Sequence, residues 1–452
     1  MTLRFGTDGV RGVANRELTP ELVTALGRAA VRVLGPDDPF VIGRDTRRSG
    51  PMLEAALVAG LCAEGADVVL VGVLPTPGVA QVARERGAPA AVISASHNPY
   101  GDNGVKLFAA GGRKIPESLE LQVEQELRSL AVTQPEPGPE GVGVGVSSEH
   151  RAALDDYVAT LVDALQGRQL NGLHVVVDCG NGAAFRAAPT ALRALGATVD
   201  VINASPDGVN INAGCGSTHP GELQEAVLVA RADAGLAFDG DADRVIAVDE
   251  RGVLVDGDEI LAITAIDLHD RKLLRGDAVV ATVMSNLGLR RALEPYGVAV
   301  IETPVGDRNV LDVLEQRNLS LGGEQSGHVI FADHATTGDG TLTGIVLLDT
   351  MTRRGRSLSE LAAVLTRVPQ VLRNVTVGGA DQLRGDTAFW SRVRDVDDEL
   401  GDDGRVLVRP SGTEPLVRVM VESIDADAAA EAADRLVELV EHAASRAAPA
   451  RS

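Results

Sequence analysis

At 452 residues the chain exceeds one ordinary core and has room for about three or four domains. Its net charge of -22, from 42 Lys and Arg against 64 Asp and Glu, repels nucleic acid and anionic membrane, so an anionic substrate would need a local basic pocket. Aromatics make up only 2% of a chain that is 44% hydrophobic, so the cores are expected to be aliphatic.

The opening MTLRFGTDGVRG lacks an apolar leader, and no later run is long enough for a membrane span. Cys62, Cys179 and Cys215 are odd in number and lack metal-ligand spacing, which points to buried free thiols in a reducing compartment, the cytoplasm. Thr19 is a plausible N-cap and Pro20 a first helical residue for a helix running to Leu34. A strand is expected at Phe40 to Ile42, a helix at Met52 to Glu64, and strands at Val68 to Val73 and Ala90 to Ile93. That alternation predicts an α/β layer with a mostly parallel sheet.

The Pro- and Gly-rich stretch Thr133 to Ser148 breaks every periodic pattern and reads as a boundary or an exposed connection. A second unit begins near His150, with a strand from His174 and a strand, loop, strand pattern over Ala234 to Glu250. Ala278 to Asn286 and Val298 to Thr303 read as strands of a third unit. After Val368 the strands shorten, to Val371–Val377, Val406–Val408 and Leu416–Val421, before an Ala-rich helix from Asp425 to about Ala444. The expected fold is therefore α/β, with three similar mixed α/β domains at 1–148, 149–255 and 256–368 and a smaller α+β domain at 369–452, set around one cleft.

Four polar motifs interrupt this plan. In ISASHNPYGDNGVKLF, Ile93 to Phe108, a serine follows a buried strand and is held by Asn98 and Pro99 on a turn. A hydroxyl so placed suits a nucleophile or an ordinary Ser/Asx turn, and spacing alone does not choose between Ser94 and Ser96. DGDADR places Asp239, Asp241 and Asp243 at alternate positions after an apolar strand, where three hard oxygens call for a divalent cation such as Mg²⁺. Arg244 beside them suits a phosphate oxygen. GGEQSGH offers Glu324 and Ser326 to the vicinal hydroxyls of a sugar, with TPVGDR, Thr303 to Arg308, expected nearby. RPSGTEP presents Arg409, two hydroxyls and a glycine nest, the donor set of a phosphate cradle, and Arg11 on its glycine-flanked loop could reach a second phosphate. Together these describe phosphoryl transfer on a sugar phosphate.

SASHNP, DGDADR, GEQSGH and RPSGTEP, in that order, resemble the α-D-phosphohexomutase superfamily over essentially the whole chain. FGTDGVRG and GEQSGH resemble most its bacterial amino-sugar branch, which interconverts glucosamine 6-phosphate and glucosamine 1-phosphate on the route to UDP-N-acetylglucosamine and peptidoglycan. The resemblance implies that Ser96 is phosphorylated in the active form. One Mg²⁺ per subunit would be held against it by Asp239, Asp241 and Asp243, with Arg244 in support. Lys106, the candidate for proton transfer, matches an active-site position, as does His97, and Arg11 is counted with them as a neighbouring cation. Glu324 and Ser326 would grip sugar hydroxyls, with His328 close by. Arg409, Ser411, Gly412 and Thr413 would bind the phosphate not undergoing transfer. A hexosamine phosphate substrate, no nucleic-acid or membrane partner and a homodimer are implied as well.

Sibling enzymes for neutral sugars commonly carry methionine at the position of Gln325, and a lysine in the loop that here reads VMSNLGL, Val283 to Leu289. Both departures favour the amino sugar. A phosphoglucomutase or phosphomannomutase, a non-catalytic sugar-phosphate sensor and a phosphatase are the alternatives.

Overall fold

A computed structural model gives the structure of the protein at residues 9–132, 137–377, 380–410 and 416–447. The described chain falls into two compact units, one holding residues up to Thr282 together with Val298–Val364, the other holding Val283–Gly297 and the chain from Leu365.

The first unit contains three sheets built on one plan. In the first, Ser147–Glu149, Val68–Val73, Phe40–Arg44 and Ala90–Ile93 run parallel, and Asp102–Ala109 then Val10–Val13 add antiparallel. In the second, Thr198–Ile202, His174–Asp178 and Ala234–Phe238 are parallel, and Val245–Asp249 adds antiparallel, followed by Leu254–Val255. In the third, Ala299–Thr303, Ala278–Thr282 and Leu321–Gly323 are parallel and Val329–Phe331 is antiparallel. Each time, one loop joins a parallel strand to its antiparallel neighbour. Those three loops are Ser94 to Gly101, Asp239 to Arg244, and Glu324 to His328, which carry three of the four motifs singled out above.

Local chemistry explains the helices beneath. The Pro20–Leu34 helix starts where expected: Thr19 Oγ1 accepts from the Leu22 N–H, and Pro20 occupies the first turn, where its missing donor costs nothing. It packs on the Gly50–Ala63 helix at close range, since a Cβ on Gly60 would sit 2.1 Å from the Thr24 carbonyl oxygen. Leu26, Leu57 and Leu61 from this pair join Ile42, Ile93 and Val105 from the sheet in the aliphatic core. The Pro- and Gly-rich connection is exposed over residues 139–149, apart from the half-buried Gly145, but its end pairs with Val68–Leu70 as an edge strand.

The Ala153–Asp163 helix reaches the Gly340–Arg354 helix through Tyr157, whose hydroxyl lies 2.9 Å from both oxygens of Asp339, the N-cap of the latter helix. Both residues are buried, and burial pushes Asp339 up from 3.8 to about 6. A raised carboxyl pKa means the fold binds this proton more tightly than the unfolded chain does. The stabilisation is full below about pH 4 and is lost as pH rises through about 6, a change on the order of 3 kcal/mol. Asp339→Asn keeps an oxygen for the Leu342 N–H without a charge to bury. Thermal denaturation should therefore find it at least as stable as the parent at pH 7.5, with the advantage shrinking towards pH 4. A deficit at pH 7.5 would show that the charged carboxylate is what the junction needs.

In the second unit Gln370–Thr376, Leu416–Ser423 and Gly404–Pro410 form an antiparallel sheet in that order, packed against the helices Thr387–Leu400 and Ala426–Ala447. The expected strand over Ala278 to Asn286 ends at Thr282, because Asn286 caps a short helix, Leu287–Leu293, by accepting from the Gly288 N–H. That helix is fixed to the sheet by fully buried Glu422, which accepts from Asn286 Nδ2, the Leu287 N–H, Gln370 Nε2 and Arg405 Nε.

Candidate active site

Ser96 sits on the first of the three loops with φ +51°, a left-handed conformation that a non-glycine residue holds only when its surroundings dictate it. Its hydroxyl donates to Asp239 Oδ2 at 2.6 Å and lies 3.2 Å from His97 Nδ1. Ser94, left open beside it by the sequence, is committed elsewhere: its Oγ donates to Asp45 Oδ2 at 2.7 Å and accepts from the Ser96 N–H at 2.9 Å. Of the two serines, only Ser96 faces the acidic loop.

Asp239, Asp241 and Asp243 are all buried, with one oxygen of each within 4.8 Å of the others. Asp241 Oδ1 and Asp243 Oδ1 are buried without a hydrogen-bond partner, the position of oxygens built to meet a cation. Burial, reinforced by the charges of Asp243 and Asp241, pushes Asp239 well above the usual carboxylate range. Burial opposes the charge of Asp243 too, but Lys106, with His328 and Arg244, draws that residue well below the range. Three hard oxygens crowded in this way fit a divalent metal.

Lys106 lies on the antiparallel strand Asp102–Ala109, opposite Val92. Its ammonium is buried, 2.7 Å from Asp241 Oδ2 and 3.2 Å from Asp243 Oδ2. Arg244 gives its backbone N–H to Asp239 Oδ1, and its Nε lies 3.7 Å from Asp243. Burial, together with the charges of Arg244 and Arg11, lowers the pKa of His97 and keeps it a neutral imidazole beside the serine at pH 7. Arg11 is on the Val10–Val13 strand, opposite Gly104.

The third loop brings Glu324 and His328 inward, while Ser326 is exposed. Glu324 Oε1 accepts from the Gly306 N–H at 3.1 Å, so TPVGDR does lie beside GEQSGH. His328 Nδ1 is 3.8 Å from Asp243, and the carboxylates of Asp243, Asp307 and Glu324 raise its pKa against the opposing effect of burial. Arg409 is exposed on the Gly404–Pro410 strand of the second unit, and Ser411, Gly412 and Thr413 lie outside the described residues.

Several residues that hold the site were not found in the sequence. Thr76, at the start of the Thr76–Arg86 helix, donates from Oγ1 to Asp241 Oδ2 at 2.6 Å and from its N–H to the Asp241 carbonyl at 2.9 Å. Asn212 Nδ2 reaches the carbonyls of Ser96 and Asn98. Asp45 and Arg47 lie buried under the serine loop. One signal was available for Thr76, a Pro-Thr-Pro step where a helix begins, and another for Asp45, the end of a parallel strand.

A buried serine facing three carboxylates, on the loops of three repeated α/β sheets, defines a phosphohexomutase architecture, and the chain belongs to the phosphoglucomutase/phosphomannomutase family. Its α/β/α domains I, II and III match residues 2–133, 155–252 and 256–368, and its C-terminal domain matches 354–439. Curated relatives include the phosphoglucosamine mutases of Desulforudis audaxviator, 51% identical over 96% of this chain and 97% of the relative, and of Salinispora arenicola, 52% identical over 96% and 98%. A crystal structure of a phosphoglucomutase/phosphomannomutase family protein from Burkholderia thailandensis superposes with a TM-score of 0.83 at 29% identity, covering 99% of this chain and 98% of that one.

Proposed function

We propose that this protein is a phosphoglucosamine mutase, which interconverts glucosamine 6-phosphate and glucosamine 1-phosphate through a phosphoserine at Ser96 and a 1,6-bisphosphate. The observation that carries the reading is near-full-length identity of about half to relatives of that name, in a chain whose Ser96 hydroxyl faces Asp239.

In this reading the phosphorylated Ser96 gives its phosphoryl group to the free O1 or O6 of the bound monophosphate. The Ser96 Oγ–P bond breaks as the sugar O–P bond forms. The bisphosphate then turns over and returns its other phosphate to Ser96, so nothing is consumed. Lys106, as the neutral amine left when its ammonium has given a proton to water, takes the proton of the attacking hydroxyl, and His97 and Arg11 lie nearby. Asp239, Asp241 and Asp243, together with Ser96, would hold Mg²⁺, which would supply charge neutralisation at the transferring oxygens. Arg244 meets the phosphoryl group. Glu324, Ser326 and His328 orient the sugar, while Arg409, Ser411, Gly412 and Thr413 grip the distal phosphate, whose binding energy then serves both half-reactions.

The four domains thus divide the labour. Residues 1–148 bear the phosphoserine, 149–255 the metal, 256–368 the sugar contacts and 369–452 the phosphate cradle. Cytoplasmic residence and a homodimer complete the reading. Among the described residues no helix is long and apolar enough to cross a membrane.

The test is kcat/KM for glucosamine 6-phosphate, glucose 6-phosphate and mannose 6-phosphate, with Mg²⁺ and a trace of the matching bisphosphate. The amino sugar should lead by about 10-fold or more, and chelation should stop turnover until Mg²⁺ is restored. Preference for glucose or mannose would keep the chemistry and overturn the pathway. Turnover of none would leave a binding protein.

A further inference from the structure

Arg47 has no part in the chemistry proposed above, yet it is one of the largest fully buried side chains among the described residues. All five N–H bonds of its guanidinium find acceptors. Nε donates to Asp45 Oδ2 at 2.8 Å, Nη2 to the carbonyls of Ser96 and Asn98 at 2.8 Å each, and Nη1 to the carbonyls of Asp102, at 3.0 Å, and Pro99. Four carbonyls from the seven residues Ser96 to Asp102 therefore converge on one planar cation. Asp45 orients that cation, and also accepts from the Arg47 N–H at 2.9 Å and from Ser94 Oγ, which in turn receives the Ser96 N–H. Ser96 is thus gripped at its N–H and its carbonyl by two arms of one network, and this grip coincides with its φ of +51°.

Stability alone is a poor account of this arrangement. A wholly buried ion pair roughly breaks even against a well-packed apolar substitute, so what it contributes is a unique geometry. Here the geometry is that of the residue whose oxygen meets Asp239.

We propose that Arg47, locked by Asp45 and Ser94, is the positioning residue of the phosphoryl-carrying serine: it aims Ser96 so that its phosphoryl group passes to the sugar hydroxyl rather than to water. The inference rests on the mutase reading above. In productive transfer the Oγ–P bond breaks and a sugar O–P bond forms. In the leak, a water oxygen bonds to phosphorus, Ser96 Oγ leaves with a proton and inorganic phosphate departs. Both reactions start from the same phosphoserine, so their ratio reports aim and is independent of how much of a preparation is folded.

The experiment charges parent, Arg47→Lys and Ser94→Ala enzymes on Ser96 with labelled glucosamine 1,6-bisphosphate, adds excess monophosphate, and counts label in bisphosphate against label in inorganic phosphate. Lysine keeps the charge but has only three donors and no plane, and alanine removes the second arm at small steric cost. Both variants should lower the transfer-to-hydrolysis ratio by about 10-fold and kcat by about 10- to 100-fold, with KM within about twofold. A ratio equal to the parent's would overturn the inference, and Ser94→Ala alone decides it if Arg47→Lys yields no folded protein. A parent enzyme that takes up no label and shows no turnover would instead overturn the mutase reading, and this inference with it.

Discussion

Ser96→Ala should lower mutase turnover by at least about 10³-fold, because it removes the oxygen that would carry the phosphoryl group between turnovers and take back the other phosphate in the second half-reaction. The neighbouring hydroxyl offers no rescue: Ser94 Oγ is occupied by Asp45 and by the Ser96 N–H. The variant should fold, since it deletes one oxygen and keeps the backbone contacts of Ser96 with Arg47 and Asn212. Intact mass after incubation with bisphosphate should show the parent gaining one phosphoryl group and the variant none. Turnover near the parental rate, or a phosphorylated variant, would place the nucleophile elsewhere.

Lys106→Met should produce two separable losses. The first is catalytic: loss of a proton acceptor costs about 10²- to 10⁴-fold in kcat. The second is electrostatic and does not depend on activity. Lys106 is the ammonium between Asp241 and Asp243, and removing one partner of a buried ion pair costs about 3–5 kcal/mol through the charge left behind. If those carboxylates also bind a divalent cation, the cation can stand in for the missing ammonium. Melting in chelator should therefore show a large deficit against the parent, and melting in Mg²⁺ a much smaller one. Equal deficits in the two conditions would refute the shared use of these carboxylates by lysine and metal.

The repeated sheets were legible because most of their central parallel strands are short aliphatic runs and two motifs directly follow such a run, SASHNP after Ala90–Ile93 and DGDADR after Ala234–Phe238. The strand that carries Lys106 was not, because DNGVKLFA mixes Asp, Asn and Gly with apolar residues and becomes a strand only through pairing on both edges. Arg47 escaped notice for a related reason. In RDTRRSG it is one arginine of three in a charged stretch, the usual look of a solvated turn, and its burial follows from carbonyls supplied some fifty residues later. The overextended third-domain strand shows local chemistry beating pattern: VMSN continues an apolar run, but Asn286 caps a helix. Residue type gave the acidic cluster at once, whereas the clamp on it from Thr76 is purely tertiary.

Ser96 and Lys106 lie on one hairpin, Ser96 in the loop after the Ala90–Ile93 strand and Lys106 on the Asp102–Ala109 strand that returns antiparallel to it. Their acidic partners come 143 and 135 residues further along the chain. On the ribosome, therefore, Ser96 and Lys106 are in place while the carboxylates have yet to be made. An ammonium sealed from water at that stage would be a heavy burden on the nascent domain, but in this architecture much of what faces Lys106 arrives with the second domain. The lysine can stay hydrated until Asp241 and Asp243 emerge, and it loses its water in the same step that brings its counter-charges. Assembly of this half of the active site and docking of the second domain thus become one event, with no stage at which the growing chain must hold a bare charge in its interior.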